Sequence, residues 1–230
     1  MAHDCLILNE AVNFEKESIF IAIPKAGTTS IRSQLAQQGT PLIQNPHLNI
    51  VQVRDSIYVY LLLQALGRNH DFPSRSIASD AHIRSEANMV FASFFKFAAV
   101  RNPWARAVSL YSRREGVVTK DKVTFDEFCR SHMYASDTCI HPTLHQNQLD
   151  WLCDDSGRCV MDYVYRVEDL DHALSEIAER TNGRLRLVSG NLNVNPGSGS
   201  SSYRDLYTDD TRLMIARRFE KDIDCFGYSF

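Results

Sequence analysis

An amine, a residue without a side chain and three hydroxyls stand together at Lys25-Ala26-Gly27-Thr28-Thr29-Ser30. These are the parts of an anion site, and a phosphate is the expected occupant. Lys25 supplies a mobile positive charge, Gly27 lets the backbone come close to a ligand, and Thr28, Thr29 and Ser30 supply hydroxyl donors. A second constellation lies further along. Ser109 follows Arg101 by about two helical turns, so both can face the same side of a sheet edge. A guanidinium and a hydroxyl there would hold a second phosphate. A ligand with phosphates at both ends of a nucleoside suits this pair better than ATP does.

The flanking residues say how these groups are positioned. Ser18 to Ile23 (SIFIAI) is a nearly continuous, β-branched apolar run, as expected of a parallel strand buried on both faces. Pro24 ends its ladder, and Ile31 to Gln38 carries a helical pattern. The first constellation therefore falls between a strand and a helix N-terminus, where unpaired N–H groups and the positive end of the helix dipole meet. The pattern GxxxxGK[ST] is absent, so this is not a Walker A loop. Phe94 to Val100 (FFKFAAV) reads as a second buried strand running into Arg101-Asn102-Pro103, and Pro103 suits the first turn of a helix reaching about Arg114. Val160 to Tyr165 reads as a third strand and Leu185 to Val188 as a short one. Ser56–Leu66, Arg84–Ser93, Thr124–His132, Thr143–Leu152, Glu168–Arg180 and Asp209–Ile223 read as helices. Strands alternating with helices predict an α/β fold: a P-loop-like parallel β-sheet flanked by helices on both faces, with ligands at the carboxyl ends of the strands. Residues 1–17 read as an irregular segment, and 1–230 as a single domain.

The 44% apolar and 23% charged composition is that of an ordinary globular protein with a real core. A net charge of −3 argues against a general nucleic-acid binder. No apolar run approaches the length of a membrane span, and the N-terminal residues carry no secretory signal pattern, so a full-length chain is expected in the cytoplasm. Six cysteines are irregularly spaced and are expected to be reduced. Cys153 and Cys159 flank a DDSGR turn and could pair or hold a metal, although two ligands are a weak zinc signal. No metal-ligand cluster is evident.

PKAGTTS after a strand, followed by FKFAAVRNPWARAVSLY, resembles the sulfotransferases that use 3′-phosphoadenosine-5′-phosphosulfate (PAPS), particularly the carbohydrate sulfotransferase branch. YRVEDL (165–170), YRDLY (203–207) and the tail RRFEKDIDCFGYSF (217–230) are similar to that branch's strand-to-helix junction and closing helix. The resemblance implies transfer of a sulfuryl group from PAPS to an acceptor hydroxyl. It implies that Lys25, Ala26, Gly27, Thr28 and Thr29, extended here by Ser30, bind the 5′-phosphosulfate, with Lys25 at the leaving oxygen. Arg101 and Ser109 would bind the 3′-phosphate. The chain departs from many cytosolic relatives in carrying Ser30 where they have an adenine-stacking Trp.

Such a transfer needs a base, and His82, in DAHIR between the two constellations, is the candidate. The resemblance places a histidine there at the end of a second strand. Asp80 would orient it. His141 and His145 are the rivals, and would otherwise face the acceptor. Tyr203 and Arg204, beside the GSGSSS loop (197–202), are expected to close over the nucleotide. Arg106 is expected to pair on its own helix or assist the 3′-phosphate, and Glu168 to serve as a helix cap or structural partner. The acceptor is expected to be a saccharide or glycolipid hydroxyl met by the loops at 68–79 and 117–148. An ATP-dependent P-loop kinase, or a non-catalytic nucleotide- or glycan-binding relative, is the alternative.

Overall fold

The computed structural model describes residues 6–67, 79–112, 123–132, 146–190 and 202–230. The main sheet has four strands in the order β2 (Val12–Asn13), β3 (Ser18–Ile21), β5 (Phe95–Val100), β6 (Tyr163–Arg166). The last three are parallel, with Ile21 opposite Ala98 and Val100 opposite Arg166. All four residues of β3 are buried, as its apolar run requires. Helices flank the sheet: α1 (Thr29–Leu35), α2 (Ile50–Gly67), α3 (Asp80–Ser93), α4 (Pro103–Tyr111), the single turn α5 (Phe125–Glu127), α6 (Leu170–Arg180), α7 (Asp209–Arg218) and α8 (Glu220–Phe226). The expected α/β architecture is present. Buried side chains from Leu8 to Tyr228 form one apolar cluster around the sheet.

Several boundaries differ from expectation, each for a local reason. The described part of residues 1–17 is not irregular. β1 (Leu6–Ile7) pairs in parallel with β4 (Thr40–Pro41), and β2 runs antiparallel to β3 as an edge strand. Buried Asn9 makes the reversal between them: its Oδ1 accepts the Ala11 N–H at 2.7 Å, and its Nδ2 donates to the Ile43 and Asn45 carbonyls. α2 begins at Ile50 rather than near Ser56, because Asn49 and Gln52 exchange side-chain-to-backbone bonds at 2.8 and 3.0 Å, a reciprocal cap. Leu185 to Val188 forms no strand. There Gln34 of α1 takes the part of a neighbouring strand, accepting the Val188 N–H and donating to the Val188 carbonyl, both at 2.8 Å.

Thr124 caps α5 by accepting the Glu127 N–H, and the helix then widens to π geometry at Phe128–His132. Of the helix expected over 143–152, only a 3₁₀ turn at Leu149–Trp151 lies in the described residues. Val167–Asp169 is likewise a 3₁₀ turn before α6, and the closing helix is broken at buried Phe219.

β5 carries one buried charge. Lys96 Nζ donates to the carbonyls of Phe94 at 2.8 Å and Phe91 at 3.1 Å and lies 3.3 Å from Asp162, so it satisfies the C-terminal carbonyls of α3. Among the described residues no helix is long and apolar enough to cross a membrane, and no group of three or more His, Cys, Asp or Glu could hold a metal.

Candidate active site

Three strand ends meet at the carboxyl edge of the sheet. Extending the register places Lys25, Asn102 and Glu168 level with one another, with Asn102 and Glu168 two residues beyond the last pair of β5 and β6 and Lys25 four beyond the last pair of β3. The chain leaves β3 through Ala22-Ile23, turns at Pro24-Lys25 and enters α1. Lys25 (φ 66°) and Gly27 (φ 69°) are both in the left-handed region, while Thr28 is right-handed (φ −78°). A side chain at Lys25 makes that conformation cost about 1 kcal/mol. At Gly27 an added Cβ would lie 2.5 Å from Val167 Cγ2, so the loop is pressed against the end of β6 where only glycine fits. The Ala26 N–H is bonded back to the Ile23 carbonyl at 3.3 Å, so the nest open to an anion consists of the N–H groups that follow, from Gly27 into the first turn of α1. Gly27 and Thr29 are exposed, Lys25 is half-buried, and no acidic residue stands in the first turn of α1. Ser30 is buried, with its hydroxyl 3.5 Å from Gln34 Nε2.

Arg101 leaves the end of β5, next to β3. Its Nη1 donates to the Lys25 carbonyl at 3.3 Å, so the structure brings the two constellations into contact. Desolvation pulls the guanidinium below its ordinary pKa, and the charge of Glu168 opposes that shift. Arginine stays protonated through such shifts, so the result is a cation poorly served by water. The Arg101 backbone is itself gripped: Gln148 Oε1 accepts its N–H at 2.9 Å and Gln148 Nε2 donates to its carbonyl at 2.7 Å. Fully buried Asp222 of α8 holds Gln148 in turn, accepting the backbone N–H groups of Gln148 at 2.8 Å and Leu149 at 3.0 Å. Burial pushes the Asp222 carboxyl up, against those donors and the charge of Arg106. Sequence reading missed Gln148 and Asp222, which no local pattern marks.

α4 follows with Asn102 as its N-cap, whose Oδ1 accepts the Trp104 and Ala105 N–H groups, and with Pro103 at the first position as expected. Arg106, 1% exposed, reaches from its helix to the loop after β3, where its Nε donates to the Pro24 carbonyl at 3.1 Å. Ser109 lies one turn beyond Arg106 on the same side of α4 and is half-buried. Trp104 and Tyr111 are buried packing residues, with Tyr111 Oη donating to the Val123 carbonyl at 2.7 Å.

The end of β6 closes the group. Glu168 is a structural partner: it accepts the Asn102 N–H at 2.8 Å and the Tyr228 hydroxyl at 3.3 Å. Arg166 stacks over Tyr228, with its guanidinium carbon 5.1 Å from the ring centroid. These residues border a shallow pocket together with Asn102 and Ser229. The RNP, VED and FGY segments of the sequence are thus one contact.

His82 is not at a strand end. DAHIR forms the first turn of α3, because the Ser79 hydroxyl caps it by accepting the His82 N–H at 3.3 Å, and the His82 side chain is exposed. Asp80 does not orient it, being bound by the Tyr58 hydroxyl at 2.5 Å and by Arg84 Nε at 2.7 Å. Tyr203 packs edge-on against Phe230, and the Arg204 guanidinium lies over both of those rings. The turn that carries them also packs on α4. His141 and His145 lie outside the described residues, as do most of the 68–79, 117–148 and 197–202 loops.

The desolvated Arg101 guanidinium meets the turn that carries Lys25, Thr28 and Thr29 and opens into α1, and no carboxylate stands in the first turn of that helix. That donor set fits a ligand carrying two phosphate groups. A family model described as the sulfotransferase family matches residues 12–229. No curated protein and no solved structure matches the chain.

Proposed function

The chain belongs to the sulfotransferase family and is a transferase of sulfuryl groups, and from this we propose that its donor is PAPS and its acceptor a hydroxyl of a saccharide or glycolipid. When bound, PAPS supplies an activated sulfuryl group on a phosphate leaving group and a 3′-phosphate as a handle. The residues present suit both ends. Lys25, Ala26, Gly27, Thr28 and Thr29 hold the 5′ end, with Ser30 supporting the helix turn beneath them; Arg101 and Ser109 hold the 3′-phosphate. Lys25 sets its charge against the negative charge that develops on the leaving oxygen, a stabilisation that is strong in a partly desolvated site. The nest fixes the orientation from which in-line attack proceeds.

His82 takes the acceptor proton at its unprotonated ring nitrogen. In support, β3 and β5 are parallel neighbours, so the chain must return from the carboxyl to the amino edge between them. α3 is the last part of that connection and delivers the chain to β5, with His82 exposed on its first turn. The whole span works as a single domain in this reading.

The observation that carries the proposal is the hydrogen bond from the Arg101 guanidinium to the Lys25 backbone carbonyl at 3.3 Å, which ties the end of β5 to the loop that follows β3. Calorimetric titration with 3′-phosphoadenosine-5′-phosphate, beside ATP, tests it in the wild type and Arg101→Ala. Binding of the bisphosphate alone, lost in the variant, is expected. Equal binding of ATP, or no binding, overturns the donor assignment.

A further inference from the structure

The turn between Cys153 and Cys159 lies apart from the site described above and is built with unusual definition. Asp154 Oδ1 accepts from the Ser156 N–H at 2.9 Å, the Ser156 hydroxyl at 2.6 Å and the Arg158 N–H at 3.1 Å. Gly157 is left-handed at φ 79°, and its N–H donates to the Asp154 carbonyl at 2.9 Å. The reversal therefore has one register, and that register sets Cys153 opposite Cys159 in an antiparallel bridge.

The type of pairing matters. The Asp154 N–H donates to the Arg158 carbonyl at 2.9 Å, and the Val160 N–H to the Leu152 carbonyl at 3.2 Å. The bonds thus lie on either side of the two cysteines and not between them. This is the non-hydrogen-bonded site of an antiparallel ladder, where facing Cα atoms are about 4.5 Å apart and the side chains are closest. A disulfide requires Cα atoms about 4.4–6.8 Å apart, so the backbone already meets its main constraint. Both residues are thiols in the structure; Cys153 is half-buried and Cys159 exposed.

We propose that Cys153 and Cys159 are a reversible thiol–disulfide pair, closed by exchange with a small-molecule disulfide. The exposed Cys159 thiolate attacks one sulfur of the small disulfide, forming a mixed disulfide and releasing one thiolate. Cys153, deprotonated, then attacks the Cys159 sulfur and releases the second. Two protons and two electrons leave the protein, and the small disulfide is reduced to two thiols. Cys225, on α8, is the rival partner, since its charge acts on Cys153 and that of Cys159 acts on it. The register favours the hairpin pair, because Cys153 and Cys159 already face each other on a pinned backbone.

The full chain, incubated with oxidised glutathione, alkylated and digested with trypsin without reduction, reports the pairing when the linked peptides are sequenced by fragmentation, which separates Cys153 from Cys139 on the shared 131–158 peptide. Cleavage after exposed Arg158 separates the two cysteines, so only a disulfide keeps their peptides together. The expected result is a Cys153–Cys159 linked pair that persists in Cys225→Ser and disappears on reduction. In Cys153→Ser, glutathione should remain trapped on Cys159. Alkylation of both thiols in the oxidised sample, retained glutathione on both, or linkage of either to Cys225 would overturn the proposal. Buried Cys129, whose thiol is pushed up to about 12 by desolvation, is the internal unreactive reference.

Discussion

Arg106 donates its Nε–H to the carbonyl of Pro24 at 3.1 Å across 82 residues of chain, while Arg101 reaches the next carbonyl, that of Lys25. Two arginines of one segment thus hold two consecutive peptide units of another. Their burial separates their roles. Arg106 is sealed in the core over the ring of Phe219, whereas Arg101 is half-buried at the edge. Arg106→Met, which keeps the bulk and removes the donors, should cost about 3 kcal/mol of stability, as expected when a buried hydrogen-bonded charge is deleted. Arg101→Met should cost about 1 kcal/mol and should lose most of the nucleotide affinity. Urea unfolding, with calorimetry of 3′-phosphoadenosine-5′-phosphate, distinguishes the two.

Gly27 faces two separate obstacles to a side chain, and they can be measured apart. Its φ of 69° strains any L-residue, and a Cβ there would meet Val167 Cγ2 at 2.5 Å. Gly27→Ala is expected to destabilise by about 3 kcal/mol, combining backbone strain with overpacking. Adding Val167→Ala should restore the steric share, about 1–2 kcal/mol, and leave the strain. A double-mutant cycle by urea unfolding reads the difference; no recovery would mean that the contact with Val167 is unimportant.

Lys25 has the opposite balance of structure and chemistry. Its backbone is left-handed, a conformation glycine adopts without penalty. Lys25→Gly should therefore leave the unfolding free energy within about 1 kcal/mol of wild type, because relief of strain offsets added unfolded-state entropy. Sulfuryl transfer should fall by about a hundredfold or more, the scale of removing a donor aimed at developing charge. A large loss of stability with activity retained would contradict both halves.

Two carboxylates give the pH dependence opposite slopes. The Ser156 hydroxyl and neighbouring N–H groups hold Asp154 down at about 2. Its contribution is present above the unfolded value of about 4 and is lost as pH falls through about 2. Asp222 is shifted upward by burial, so its contribution is greatest below about 4 and is lost as pH rises through its folded pKa. Asp154→Asn should flatten the acid limb of a urea-midpoint profile taken from about pH 2 to about pH 8, and Asp222→Asn should remove the decline above about pH 4. Profiles unchanged in slope would reject these assignments.

What could be read from the chain beforehand was what neighbouring residues decide among themselves. SIFIAI, the proline stop and the glycine of the loop are local features, and so are the buried strand ending at Val100 and the Pro103 helix start. Elements of two residues, such as β2, carry too little periodicity to stand out. DAHIR was legible only in part: Ser79 is an ordinary cap, but His82 belongs to the helix it starts and not to a strand end. Asp222 and Gln148 are separated by 74 residues, and nothing near either announces the other. The same holds for the break at Phe219, which needs neither glycine nor proline because the core accepts that ring.

Gln34 and Gln148 each meet a stretch of backbone with both ends of a primary amide, at Val188 and at Arg101. Each side chain is a portable peptide unit, a single rung of ladder supplied without a strand. Such a rung recognises main chain only and is indifferent to the side chain it borders. At position 101 the placement of the backbone is therefore encoded 47 residues away, and the guanidinium can be selected for its chemistry alone.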